Sequence, residues 1–268
     1  MNMKTHICSI KIIFLNFWIV GISFSGLGQY KPTISSDRPG QAYSAYTVGK
    51  NIIQTQSGFN FIKSKTTDLQ VNSYVFVPEF RYGITEKFEI GWSMEITGNY
   101  FKISDIKSTE NGISNWGIGA RLNIWEDEGA KPALGVLTVM NFTNWVSEEF
   151  DTGLPTPAVA LLISKSCGDL FTFSGNLGAA WNGLYKYPTS GTYVLNFSCP
   201  ITNKWGIFLE NYGEFGNRFV DTFIDGGFSY LLNQHIQLDT LFGYGKNDGV
   251  TEIFISAGIS MRRPRKSK

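Results

Sequence analysis

From about residue 51 to the end, apolar and polar residues alternate in run after run, and this period of two limits what the chain can become. Phe88, Ile90, Trp92, Met94 and Ile96 interleave with Glu89, Gly91, Ser93, Glu95 and Thr97. Trp116, Ile118, Ala120, Leu122 and Ile124 interleave with Asn115, Gly117, Gly119, Arg121 and Asn123. The same rhythm returns at 171–181, 236–245 and 252–261. Such alternation marks strands whose two faces meet different surroundings. Turn residues divide the pattern into twelve expected strands, near 51–64, 68–82, 87–101, 112–125, 131–146, 156–165, 169–182, 191–201, 204–214, 219–232, 235–246 and 250–262. The fifth and sixth alternate least clearly. No linker or low-complexity tract interrupts the series, so it reads as one domain.

The first 28 residues follow a different logic. Lys4 and Lys11 precede an apolar run at 12–21, which leads into small residues Ser23, Ser25, Gly26 and Gly28. That order is a secretory signal peptide, residues 1–28, and the run is short of the roughly 20 residues a spanning helix needs. Residues 29–50 then form an expected periplasmic N-terminal segment, 51–262 a barrel, and 263–268 a basic C-terminal tail. Removal of the leader leaves 21 basic and 22 acidic residues. Five of the basic ones lie at 262–268, so residues 29–261 carry 16 against 22. An acidic body of this kind excludes a basic nucleic-acid binder.

No later segment resembles a transmembrane helix; the longest apolar run, 157–163, is strand-sized. A chain that enters a bilayer without such helices must close into a barrel, which leaves no backbone group unpaired in lipid. The fold class expected is therefore all-β, an antiparallel transmembrane barrel of about twelve strands behind a signal peptide, with outer-membrane lipid as its partner. Short links at 82–87, 126–130, 165–167, 200–203 and 232–234 alternate with mostly longer or more irregular ones at 99–112, 145–156, 182–190, 215–218 and 246–249. Short periplasmic turns and longer outer loops have that phase. Trp92, Trp125 and Trp205 fall toward one end, and Trp116, Trp145 and Trp181 toward the other, as two interfacial girdles would. A secreted soluble β-sandwich would alternate too. Its outer face should be rich in Lys, Glu and Thr, whereas the polar face here is mostly Gly, Asn and Ser.

On that polar face lie Glu79, Arg81, Glu89, Glu95, Arg121, Glu210, Asp225 and Asp239, the candidates for a lumen lining. Unpaired charges in a confined interior are costly, so acids are expected to pair with Arg81 and Arg121, and the surplus acids would disfavour anions. By the same parity Trp92, Ile118, Leu177, Leu238 and Ile255 should face lipid, with Asn176 and Ser256 inward.

Several short patterns occur in order along the chain: Ser36-Asp37-Arg38-Pro39, Arg81-Tyr82-Gly83-Ile84-Thr85, Asn176-Leu177-Gly178, Glu210-Asn211-Tyr212-Gly213, and 225–232 followed by Gln237-Leu238-Asp239. With them the chain resembles the outer-membrane transporter family described as MetA-pathway of phenol degradation, in the form common in Bacteroidetes-type Gram-negative bacteria. The resemblance implies a barrel in the cell outer membrane, passage of small hydrophobic or aromatic solutes, no catalytic residues and no cofactor. The end of the chain departs from outer-membrane barrels in general: Met261 and a basic tail stand where a terminal aromatic is usual.

Other chemistry is sparse. Residues 243–249 lack the Gly-Lys-Ser/Thr ending of a phosphate loop. Cys167 and Cys199 have no metal-ligand spacing; both fall near the same rim, where they can form a disulfide or stay two thiols. After leader removal His235 is the single histidine, in an expected periplasmic turn, an awkward place for the base of an outer-leaflet hydrolase. A non-enzymatic channel is therefore the reading, with a structural or adhesive barrel without an open pore, and an outer-membrane hydrolase, as alternatives.

Overall fold

The computed structural model describes residues 32–181, 190–216, 220–247 and 249–263. Residues 1–28, the expected signal peptide, and residues 264–268 of the expected basic tail lie outside that set. Twelve antiparallel strands close into a barrel, each hydrogen-bonded to its sequence neighbours and β1 to β12. They are β1 (Ile53–Lys65), β2 (Leu69–Gly83), β3 (Phe88–Ile103), β4 (Ile106–Trp125), β5 (Ala133–Asn141), β6 (Thr156–Cys167), β7 (Phe171–Ala180), β8 (Ser190–Pro200), β9 (Trp205–Phe215), β10 (Val220–Asn233), β11 (Ile236–Asn247) and β12 (Val250–Arg262). No helix among the described residues is long and apolar enough to cross a membrane.

Side-chain parity turns the alternation into an inside and an outside. Ile118 is 49% exposed, Leu177 56% and Ile255 51%, although all three are aliphatic. Arg121 and Asn123, one residue from such outward positions, are buried. This inversion of a soluble core is what lipid demands of a barrel wall. The strands are also long, most exceeding the roughly 9–11 residues that a tilted membrane strand requires.

Two expected elements differ. The stretch 99–112 is not a loop: β3 and β4 continue to Ile103 and from Ile106, joined by a tight turn in which Ser104 takes a positive φ of 53°. A strand pair that projects past the bilayer has water on both faces, so it needs no alternation and reads as loop in sequence. The fifth strand stops at Asn141 rather than near 146. The chain then folds back: Ser147 N–H donates to the Ile113 carbonyl and Ser147 Oγ accepts from Ile113 N–H, and a single 3-10 turn follows at Glu148–Phe150. Trp145 consequently stacks over Phe142 and Trp116 outside the sheet ladder.

The largest correction concerns the segment expected to lie in the periplasm. From residue 34 to 48 it runs inside the barrel, hydrogen-bonded to inward side chains of the wall, and Ala45 packs with Ala133, Leu137 and Leu162 in a small apolar core. The physical reason is supply and demand: the inward face carries buried acids and amides that need donors, and this segment brings backbone N–H groups and an arginine.

Candidate functional site: a plugged lumen

The inner segment meets the strands in nearly reverse chain order. Ser36 Oγ lies 2.5 Å from Gln56 Oε1 and 2.6 Å from Ser260 Oγ, on β1 and β12. Arg38 pairs with Asp239 of β11 at 2.9 Å and donates to Ser256 Oγ of β12. Gln41 and Ala42 donate their backbone N–H groups to the two carboxylate oxygens of Glu210 on β9, at 2.6 and 3.0 Å, and Asn196 of β8 also donates to Glu210. Asn176 of β7 grips Tyr43 from both sides: it accepts from the Tyr43 N–H and donates to the Tyr43 carbonyl. Ala45 N–H donates to Ser164 of β6, Asn123 of β4 donates to the Ala45 carbonyl, and Val48 N–H donates to Glu89 of β3. The segment is thus a lining wound around the lumen, and it narrows the bore.

Room for it is written into the wall. Gly58 and Gly258 face each other across β1 and β12. A Cβ on either would stand 2.1 or 2.3 Å from the Arg38 guanidinium, so only glycine admits that side chain there.

Beside them, on β2–β4, four charges close a ring. Asp37 Oδ2 lies 2.8 Å from Arg81 Nη1 and 2.7 Å from Arg121 Nη2; Glu89 Oε1 lies 2.8 Å from Arg81 Nη2 and 3.4 Å from Arg121 Nε. The wall contributes three members by register, since Glu89 pairs directly with Arg121 across β3 and β4, and Arg81 lies on neighbouring β2. The plug contributes the fourth. Arg121 further donates to the carbonyls of Ser44 and Tyr46, both at 3.1 Å. Burial works to raise the Asp37 carboxyl, but Arg121 and Arg81 outweigh it and hold the group below its ordinary value of 3.8.

All eight lumen candidates project inward. Arg81, Glu89, Arg121, Glu210, Asp225 and Asp239 are buried, and Glu79 and Glu95 line a cavity of 330 Å³ between the plug and the wall. The structure joins Arg81, Glu89 and Arg121 in one ring and places Asp239 and Glu210 on the far side, each held by the plug. Asp225 pairs across the sheet with Glu210, and among the described residues neither of its oxygens has a hydrogen-bond partner. The cavity floor is Tyr43, whose phenol is pushed above the tyrosine range by burial and by the carboxylates of Glu79 and Asp37.

Sequence reasoning missed Asp37 and Arg38 as parts of the site. The excess of inward acids over inward arginines was the available signal, because it left carboxylates that the wall could not neutralise. Cys167 and Cys199 are free thiols. They lie on β6 and β8, with β7 between them, so the strands are roughly 10 Å apart at about 4.8 Å per step, beyond the 7 Å or so that a disulfide spans. His235 accepts from Arg262 Nε at 3.4 Å in the turn between β10 and β11. Among the described residues no group of His, Cys, Asp and Glu side chains is arranged to hold a metal ion.

Among solved structures, the barrel is similar to the COG4313 outer membrane channel of Pseudomonas putida F1, with a TM-score of 0.67 at 10% identity over 85% of this chain and 100% of that one. It is also similar to the NanC porin, with a TM-score of 0.55 at 10% identity over 76% and 98%. The translocator domain of autotransporter NalP from Neisseria meningitidis gives 0.52 at 11% identity over 85% and 90%. At such identities the likeness is one of fold, that of an outer-membrane β-barrel. No curated protein matches the sequence. The family model described as MetA-pathway of phenol degradation matches residues 36–262, from the plug to the last strand, and the chain belongs to that family.

Proposed function

We propose that this barrel is a narrow outer-membrane channel for small, largely apolar solutes, with residues 32–52 as a resident constriction. The observation that carries the reading is the cavity left above the plug. One wall is charged and polar, with Glu79, Arg81, Glu95 and Asn115; the other is apolar, with Leu137, Val139, Ala158 and Ala160. A bore with one apolar side and one side of fixed charge suits a solute that sheds part of its water on entry. Its volume, at the low end of the roughly 300–1,000 Å³ of ligand pockets, favours small molecules. The chain is read as non-enzymatic, in keeping with the channel, porin and translocator structures that share its fold.

The test is paired. Purified full-length protein in planar bilayers should give small, stable conductance steps, and liposomes containing it should take up phenol-sized neutral solutes faster than empty ones. Asp37→Ala, which removes the plug carboxylate shared by both arginines, should enlarge the steps. Absence of conductance and of uptake in both proteins would replace the channel with a closed structural barrel.

A further inference from the structure

The cavity has a charge balance that the ring does not settle. Asp37 and Glu89 match Arg81 and Arg121 one for one. Glu79 and Glu95 remain, and neither makes an ion pair among the described residues. Glu79 accepts from Gln56 Nε2 at 2.9 Å, and Glu95 from the Asn115 amide. Neutral amides satisfy single lone pairs and leave the charges in place. Asn115 Oδ1 is itself buried without a hydrogen-bond partner among the described residues. Three acceptors therefore meet one space.

The wall is shaped for this. Glu79 pairs with Ser93 across β2 and β3, which makes Glu95 its diagonal neighbour, with Cα atoms roughly 7–8 Å apart. The ladder is irregular here: Val77 and Pro78 have no partners on β3, and β3 and β4 slip register between Glu95 and Ile96. Proline removes a ladder donor and a bulge re-aims a side chain. Leu137, Val139 and Ala160 line the same cavity, as do the ring members Arg81, Glu89 and Arg121.

We propose that this cavity is a selectivity site for small primary ammonium compounds with an apolar body. The ammonium is held between Glu79 and Glu95 beside Asn115, and the body lies on Leu137, Val139 and Ala160. An ammonium has three donors and no acceptor, which answers three acceptors, and its single positive charge offsets one of the two carboxylate charges. A carboxylate-bearing solute of the same shape meets repulsion at the same place. The inference rests on the channel reading and names its preferred solute class.

Three probes of nearly one shape test it on the full-length protein: 2-phenylethylammonium, 2-phenylethanol and phenylacetate. Calorimetric titration of the wild type should give the ammonium an affinity about tenfold or more above the alcohol, the scale of a charge-assisted hydrogen bond over a neutral one, with phenylacetate weakest. Glu79→Gln with Glu95→Gln should abolish that ranking. Heat-dependent gel mobility establishes that the variant is folded, and the wild-type ranking needs no variant. Equal affinity for ammonium and alcohol, or a ranking that survives the double substitution, overturns the inference. Uptake of 2-phenylethanol in that event leaves the channel reading standing; no uptake of any probe overturns both.

Discussion

The plug is fastened to the two sides of the lumen by different physics. Toward β2–β4 the fastening is ionic, with Asp37 closing a ring of two arginines and two acids. Toward β7–β9 it is made of backbone amides, with Gln41, Ala42 and Tyr43 donating N–H groups to Glu210 and Asn176. The first adds to backbone contacts of Arg121, Asn123 and Glu89 a ring that depends on the identity of one plug side chain. The second depends on where the plug backbone runs and tolerates many side chains. A buried ring fixes register because every mismatch strands a charge, whereas an amide cradle fixes depth and path.

Removing a ring member should therefore have the largest effect. Arg121→Ala leaves Asp37 and Glu89 facing Arg81 alone and takes the donor from two plug carbonyls. The expected loss is about 3–5 kcal/mol, measured by urea unfolding of protein refolded into liposomes. A loss under about 1 kcal/mol would mean the ring does not anchor the segment. On the outer wall Leu177→Arg should cost about 2–4 kcal/mol near the bilayer midplane in the same assay, with single-channel conductance unchanged. It separates stability of the wall from occupancy of the lumen.

Glu210→Gln should be milder than the ring variant, about 1–3 kcal/mol, because an amide oxygen still accepts one of the two plug N–H groups. If it matched Arg121→Ala, the distinction between the two sides would collapse. The smallest effect expected is that of mild acid. Asp37 has its folded value below 3.8, so its contribution is complete above 3.8 and is lost only as pH falls through the lower folded value. Hydrogen-exchange protection of the Ser44 amide, which donates to Asp37 Oδ1, corrected for intrinsic rates, should be equal at pH 7 and pH 5 and fail only below about 4. Loss of protection at pH 5 would contradict the ring.

The barrel was legible in the sequence because lipid enforces alternation on every strand it touches. Trp92, Ile118 and Leu177 announce the outer face, and Glu89, Arg121 and Asn176 the inner one, with no knowledge of the neighbours required. Legibility ended where the bilayer ends, at the β3–β4 projection, where both faces are wet. It also ended at the plug. Residues 32–52 have no period because they form no ladder; their partners are scattered over nine strands and are fixed only once the barrel closes. Arg81 and Arg121 were readable as counter-charges, but the wall alone does not name Asp37 as the acid they share. The role of Gly58 and Gly258 shows only once Arg38 fills the space above them.

The central claim is that the N-terminal segment lies inside the barrel in the membrane, and one cross-link addresses it. Ser36 and Ser260 approach to 2.6 Å between hydroxyl oxygens. With Cys167 and Cys199 replaced by serine, a Ser36→Cys, Ser260→Cys protein in intact outer membranes should form an intramolecular disulfide under mild oxidation, seen by mass spectrometry of the linked peptides, and keep the small conductance of the wild type. A segment lying free in the periplasm would give no 36–260 link, and the cysteine at position 36 would react with a soluble maleimide as fast as an unfolded peptide does.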